Sequence, residues 1–555
     1  MKKMLNPRVS LGVIIICTIL IAIPLFRPGY IDTHDGNYHL LRLMDMHRSI
    51  EDGGYYIRWL PDLNSGYGSP IFNFYPPLAY YVAELFHIVG LGFIDSMKST
   101  YFIGFLLSGI AMYMFARDVL GEKAGLVAAV AYIYAPYHLV DVYVRGAFGE
   151  FLSFGLIPLV LWSFYRLANT GDRRYAVSAA LSYALLITTH NVNALIFTPI
   201  FLLYIVFLRS KERRRHDFAK FAFLAMLYGI GLSAFYWLPA LYESQFIQIY
   251  RTTYGYFGYP LHFVYPKQLF LPYWGYGYSV PGIKDEMSFQ IGTAYVMLSL
   301  LSVVLIKRAG EKHRVAKPHI TLFLIITAIG IMLMLPASTP VWALLPYVEF
   351  IQFPWRMLGV TMLTTSFLCG ATTLLFEDRL KDLAVLFLLL ILILPPLGYA
   401  KANYTHINES KWTPERILES GYSATARNDY LPITVLEITN KSAPDRISVI
   451  SGNAIVELLE HRATVYRIRV HADTKAEIRV DNYWFPGWRT YVDDMEVEIK
   501  DNKFGVIQFE VPTGNHIVLI RFEDTFIRKV GKAVSYMSLL LLSALYFYER
   551  ETSRI

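Results

Sequence analysis

The sequence predicts a mainly α-helical protein, a polytopic transmembrane bundle of about 12 spans, each about 20 residues long, with an external β-sandwich near its C-terminus. Two observations predict the bundle. Of 555 residues 55% are hydrophobic and only 17% charged, with a mean hydropathy of +0.37, too apolar a balance to cover a water-facing surface. Apolar runs approaching membrane-crossing length, such as Leu11 to Leu25, Ala384 to Leu397 and Val534 to Tyr546, also recur from end to end. A third observation predicts the external domain: from Ile433 to Asp524 apolar and polar residues alternate, as in VYRIRVHA and GVIQFEVP, with turn signals at Phe485-Pro486-Gly487, Asp493-Asp494 and Thr513-Gly514-Asn515. The net charge of +7 sits on Lys and Arg in short loops, which is a topology signal rather than a nucleic-acid-binding face, so nucleic acid is excluded. Cys17 and Cys369 both lie inside apolar runs and offer neither a disulfide framework nor a thiolate metal site.

Taken in order, MKKMLNPR and the apolar run after it imitate a secretory signal. Arg27-Pro28-Gly29-Tyr30 follows instead of a small-residue cleavage site, so the run reads as an uncleaved first span. Later spans are expected near 99 to 116, 124 to 137, 151 to 167, 175 to 190, 192 to 208, 219 to 238, 288 to 306, 318 to 336, 357 to 376, 382 to 399 and 531 to 547. The basic stretches Met1 to Arg8 and Arg209 to Lys220 should share the cytoplasmic side, which requires an even number of crossings between them. Leu78 to Phe93, which follows two prolines and carries Glu84 and His87, is therefore expected to lie along the outer surface. The cytoplasmic pieces then hold 23 Lys and Arg against 9 in the external loops before residue 357. This places both termini in the cytoplasm of a cell-membrane protein, with a transmembrane domain at 1–399, an extracytoplasmic β-domain at 400–530, and a last helix and tail at 531–555. Sequons at Asn403, Asn408 and Asn440 agree with an external location for that domain.

Ionisable residues at the edge of a membrane cavity are costly unless paired or functional. The first external loop (27–97) carries Asp32, His34, Asp35 and His39 directly after a span. The loop at 138–150 adds His138, Asp141, Arg145 and Glu150, and QFPWRM places Arg356 at an external span mouth, against the positive-inside trend. A fixed guanidinium there suits an anion such as phosphate, although it also has the length to snorkel. His190, Asn191 and Asn193 cluster at another external helix end. In the aromatic loop 239–287, Tyr254, Tyr256, Tyr273 and Trp274 are candidates to stack on sugar or to sit at the membrane interface.

The order Asp35 and His39, Arg58 to Pro70, Phe72 to Tyr81, Val144 to Glu150, His190-Asn191 and Gln352 to Arg356 resembles the pyruvoyl-tetrahydropterin-synthase-related membrane proteins. The segments NYWFPGWRTYVDD and VPTGNHIVLIRF are similar to the terminal domain of bacterial membrane proteins implicated in teichoic-acid glycosylation. Both groups resemble the GT-C glycosyltransferases. That resemblance implies transfer of a sugar from a polyprenyl- or dolichyl-phosphate donor to a lipid, glycan or protein acceptor on the extracytoplasmic face. Asp35 matches the acidic residue of the first external loop, as base for the acceptor hydroxyl or as a nucleophile toward the sugar. Arg356 and Arg145 would hold the phosphate, with Glu150, Asp141, His39, His190, Asn191, Trp59 and Tyr75 binding substrate around them. A divalent cation, Mg²⁺ or Mn²⁺, held by Asp32, His34, Asp35 and Asp141, is an open alternative. A transporter or flippase would place ionisable residues near the bilayer midplane, whereas these cluster at external ends. A non-catalytic scaffold for lipid-linked glycans is the other reading, since Asp35 is followed by Gly36 rather than a second acid.

Overall fold

The computed structural model describes residues 6–211, 217–308, 314–405, 425, 428–438 and 446–552. Asn408 and Asn440 lie outside these residues.

Each of the twelve apolar runs carries a helix. Among the described residues eight helices have the length and composition to cross a membrane, and the pair Asp217–Leu232 and Ala234–Phe246, bent by 65°, makes a ninth if counted as one broken span. The other three runs fold as the shorter helices Pro7–Ile21, Arg174–Thr189 and Thr293–Arg308. The first begins where Asn6 caps it, its side chain accepting the Arg8 N–H, with Pro7 in the first turn, where its missing N–H costs nothing. Leu78 to Phe93 yields the helix Leu78–Ile88. At about 16 Å it is roughly half the length of a hydrocarbon core. It buries Tyr80, Ala83 and Glu84 and exposes Leu85, Ile88 and Val89.

One span departs from regular geometry where the site lies. The helical run Glu122–Arg145 ends in a π-turn over Asp141–Arg145, stopped by Gly146 at φ +65°. A π-turn inserts a residue into the helical ladder and re-aims the side chains it carries. Phe148–Ser153 follows, so Asp141, Arg145 and Glu150 come from one tight reversal.

The C-terminal part forms two antiparallel sheets. With β1 (Tyr30–Ile31), β2 (Tyr404–Thr405), β3 (Ile447–Ser451), β4 (Ala454–Arg462), β5 (Val465–Ala472), β6 (Ala476–Tyr483), β7 (Trp488–Val492), β8 (Met495–Val497), β9 (Val506–Val511) and β10 (Gly514–Phe522), the orders are β4-β5-β10-β7-β8 and β3-β6-β9. Alternation along β5 buries Tyr466, Ile468, Val470 and Ala472 and exposes Arg467, Arg469 and His471. The buried set packs against Ile478, Phe509, Val518 and Ile520.

Three connections tie the loop at 27–97 to the rest. β1 pairs with β2, and Tyr404 donates its hydroxyl to the Pro24 carbonyl at 2.7 Å. The Asp52 carboxylate accepts the Ala463 N–H at 2.7 Å. Deeper in, Glu243 accepts from Arg528 (Nε 3.1 Å, Nη2 2.9 Å), Asn73 (2.7 Å) and Thr525 (2.6 Å). Asn73 in turn accepts from Arg58 at 2.7 Å.

Candidate active site

Backbone pairing sets the site. The His34 N–H donates to the Val144 carbonyl at 3.1 Å and the Asp35 N–H to the Arg145 carbonyl at 2.9 Å, so the first loop is laid onto the π-turn. The approach is close enough that a Cβ on Gly146 would stand 2.2 Å from Thr33 Oγ1, and glycine also accepts the positive φ there. Asp35 stands at the N-terminus of the helix Gly36–Glu51. His39 and Arg42 follow at four and seven residues, which puts the three on one helical face.

That face looks into a cavity of about 780 Å³. The polar part of its lining includes Asp35, His39, Arg42, Arg145, His190 and Arg356; the apolar part includes Leu195, Trp237, Leu241, Ile249 and Phe350. Asp35 is exposed there, while His39, Arg42, Arg145 and Arg356 are buried side chains with one edge on the space.

The arginines are held from behind. Arg145 donates Nη1 to Asp141 and Nη2 to Glu150 (2.9 Å), and its guanidinium lies 4.7 Å from the Trp355 ring centroid. Glu150 also accepts the Tyr137 hydroxyl at 2.6 Å and approaches Arg356 Nε at 3.5 Å. Arg356 Nη1 is anchored on the Ile351 carbonyl (2.8 Å) and Gln352 Oε1 (3.0 Å). Arg42 sits 4.7 Å above the Tyr75 ring and donates to Tyr80 at 3.1 Å. Guanidiniums fixed this way present their planar faces and remaining N–H groups without needing to reorganise around an anion.

The two loop histidines are kept neutral. Burial, reinforced by Arg42, Arg145 and His190, holds His39 well below the ordinary imidazole range. Burial also lowers His34, although its contact with the Tyr276 carbonyl (2.9 Å) and the nearby Asp35 work the other way.

Most of the expected site residues gather. Asp35, His39, Tyr75, Arg145, His190, Asn191, Arg356 and His34 all line the cavity, and Asp141 and Glu150 stand directly behind Arg145. Trp59 does not belong with them. It is fully buried, 5.4 Å from the Trp488 ring, and closes the hydrophobic core between the first loop and the β-domain, because its neighbour Gly68 leaves just the space an indole fills. The expected ligand set Asp32, His34, Asp35 and Asp141 is not assembled. Asp32 is exposed away from the cavity, Asp141 faces the Arg145 guanidinium, and no three His, Cys, Asp or Glu among the described residues form a metal-holding group. The positive charge at the cavity lining is carried by arginine, and the carboxylates behind it, Asp141 and Glu150, are already paired to those guanidiniums, so the donor set does not fit a divalent cation. Of the four aromatic candidates, Tyr256 lines the cavity, Tyr254 and Tyr273 point to solvent or lipid, and Trp274 stacks on Tyr399 at 4.8 Å.

Arg42, Tyr430 and Trp355 also line the cavity and were not singled out from the sequence. The spacing Asp35, His39, Arg42 along one helix was the available signal for the first. Tyr430 arrives from the segment between the last two long apolar runs, and no local pattern ties it to this cavity.

Among known proteins, a protein of Lactococcus lactis subsp. cremoris (strain MG1363), itself described as uncharacterized, is 24% identical over 237 residues. That match covers 41% of this chain, and the chain spans about two fifths (39%) of the relative. Partial overlays exist with the Archaeoglobus fulgidus oligosaccharyltransferase (TM-score 0.49, 13% identity, 77% of this chain and 61% of that one) and with the arabinofuranosyltransferase AftD from Mycobacteria (0.46, 14%, 72% and 27%). ArnT from Cupriavidus metallidurans overlays more weakly (0.27, 14%, 65% and 78%). The family described as 6-pyruvoyl-tetrahydropterin synthase related domain, membrane protein, matches residues 72–402, which contain the π-turn, Glu150, His190 and Arg356. With most of the chain matched, this protein belongs to that membrane protein family.

Proposed function

We propose that the chain is a membrane glycosyltransferase that moves a sugar from a polyprenyl- or dolichyl-phosphate donor to a hydroxyl of a lipid, glycan or protein acceptor. One observation carries the reading: the exposed Asp35 carboxylate shares a cavity of about 780 Å³ with three arginines and a set of apolar side chains. A phosphate between an isoprenoid chain and a sugar has this mixed character, with an anion to be met by guanidinium and a hydrocarbon to be met by Leu195, Leu241 and Phe350.

In the proposed reaction Asp35 accepts the proton of the acceptor hydroxyl as its oxygen forms the new bond to the sugar's anomeric carbon. The bond from that carbon to the phosphate oxygen breaks, and its electron pair leaves with the lipid phosphate. No acid is needed for the leaving group, because the phosphate departs as a stable anion. Arg42, Arg145 and Arg356 would stabilise the charge it gains, with Asp141 and Glu150 keeping Arg145 in place. The motif order of the first loop, V-R-G-x-x-x-E and Q-F-P-W-R, and its resemblance to GT-C enzymes support the same assignment. The charge distribution of the loops supports an extracytoplasmic cavity and β-domain (400–530), with both termini in the cytoplasm.

The test is donor turnover by purified protein in nanodiscs supplied with a panel of radiolabelled polyprenyl-phosphate sugars. Wild type should consume at least one donor. Asp35→Asn should lower turnover by about 10²- to 10⁴-fold, the usual contribution of a general base, while leaving donor affinity close to wild type. An inert wild-type protein, or an Asp35→Asn variant as fast as wild type, would refute the reading.

A further inference from the structure

The polar contacts of His39 fix more than its position. Its Nδ1 lies 2.6 Å from the Tyr80 hydroxyl, and the same hydroxyl oxygen receives a hydrogen bond from Arg42 Nη1 at 3.1 Å. A guanidinium only donates, so Tyr80 must accept from Arg42. The Tyr80 side chain is completely buried, and among the described residues its hydroxyl meets only these two groups. If His39 carried its proton on Nδ1, two donors would converge on the Tyr80 oxygen and the phenolic proton would be buried with no acceptor, at a cost of about 1–3 kcal/mol. The alternative satisfies every group: Arg42 donates to Tyr80, and Tyr80 donates to His39 Nδ1.

We infer that Tyr80 is a positioning residue that locks His39 as the Nε2–H tautomer and presents that N–H to the cavity as a fixed, uncharged donor to a phosphate oxygen of the bound ligand. Nε2 makes no hydrogen bond to the described residues and is not among the buried polar atoms left without a partner, and His39 itself lines the cavity. Its surroundings favour an anion, with Arg42 and Arg145 both close enough to act on the imidazole. Burial, with these arginines adding to it, keeps the ring neutral at physiological pH. An imidazole whose Nδ1 is occupied as an acceptor and whose Nε2 already bears a proton has no lone pair to offer the cavity. His39 therefore does not compete with Asp35 as a base, although the two are one helical turn apart. The tautomer stands on the hydrogen bonds alone; the identity of its partner as a phosphate rests on the donor reading above.

The test uses the full chain in nanodiscs with ¹⁵N,¹³C-labelled histidine, the His39 ring signals being assigned by their loss in His39→Gln. At pH 7 wild type should show a neutral His39 with the proton on Nε2, and Tyr80→Phe should shift the population toward Nδ1–H. Decaprenyl phosphate should move the Nε2–H resonance, with ³¹P spectra reporting binding independently and inorganic phosphate as a headgroup-only arm. His39→Gln, which keeps an N–H at the ε position, should bind decaprenyl phosphate close to wild type. His39→Asn should lose about 10- to 100-fold, the range for a hydrogen bond to a charged group. A protonated or Nδ1–H His39 in wild type overturns the inference. Decaprenyl phosphate bound without any Nε2 response overturns the ligand contact while sparing the donor reading. An Nε2–H tautomer in a protein that binds neither decaprenyl phosphate nor any donor of the polyprenyl-phosphate panel refutes the donor reading and, with it, the phosphate contact, but leaves Tyr80's positioning role in place.

Discussion

Replacing Glu243 by alanine should uncouple the loop at 27–97, the broken helix pair and the last helix in one step. Glu243 is 1% exposed and is the carboxylate facing Arg528, which is 0% exposed and otherwise bonded to the Glu523 (3.1 Å) and Pro486 (2.7 Å) carbonyls. Removing the carboxylate leaves a buried guanidinium without counter-charge, which costs about 3–5 kcal/mol. Asn73 and Thr525 lose their acceptor as well, each worth about 1 kcal/mol. Removing both charges is milder, since an apolar pair of similar volume avoids the uncompensated ion. Glu243→Met with Arg528→Met should therefore be more stable than Glu243→Ala alone, with a coupling of about 2 kcal/mol or more in a double-mutant cycle read by chemical unfolding in bicelles. The helix carrying Glu243 also supplies Tyr236, Trp237 and Leu241 to the cavity, so Glu243→Ala should weaken ligand binding without touching any of the charged groups in its lining. If Glu243→Ala proved within about 1 kcal/mol of wild type, or the double variant were the less stable, the ion pair would not hold these pieces together.

Trp59→Ala should lower thermal stability by an amount typical of a large core aromatic, about 3–5 kcal/mol. Trp59→Phe should lose less, and both should keep donor affinity; a selective loss of affinity in Trp59→Phe would return Trp59 to the binding site. His461, in β4, is held down to about 4 by burial, with Arg446 and Arg48 beside it. As pH falls from about 6.5 toward 4, the unfolded chain takes up a proton the folded domain refuses, so stability drops across that window, by up to ~3 kcal/mol at ~1.4 kcal/mol per pH unit. A pH series of melting temperatures should show this slope in wild type and a flatter one in His461→Gln.

Composition and apolar runs were enough to read the helical bundle, because burying polar backbone in lipid leaves few alternatives to helices. Strict alternation in VYRIRVHA likewise marked β5. The short loop motifs led to Asp35, Arg145 and Arg356 among the charged residues that line the cavity, since charge beside an apolar run is conspicuous. What the sequence hid is set by contacts across the chain. The aromatic Trp59 reads the same whether it meets a sugar or Trp488, and only the β-domain folding over it decides. Asp141 has the chemistry of a metal ligand, and the π-turn instead turns it toward the arginine four residues on. Helix bounds followed the apolar runs only loosely, with Pro7–Ile21 beginning and ending four residues before the run Leu11 to Leu25 that predicted it.

The pairing of β1 with β2 has a consequence for synthesis. The strand that leads into the Asp35 segment has a partner that is made late: Tyr404 and Pro24, joined by a hydrogen bond, are 380 residues apart in the chain. At a ribosomal rate of about 5–20 residues per second, that interval is on the order of 20–75 s. Throughout it the first loop stands with its strand edge unpaired and with Trp59 still waiting for Trp488. Maturation of the cavity is thereby tied to delivery of the C-terminal domain to the same side of the membrane. A chain stalled or truncated before residue 404 would carry nearly all of its hydrophobic helices and no finished site.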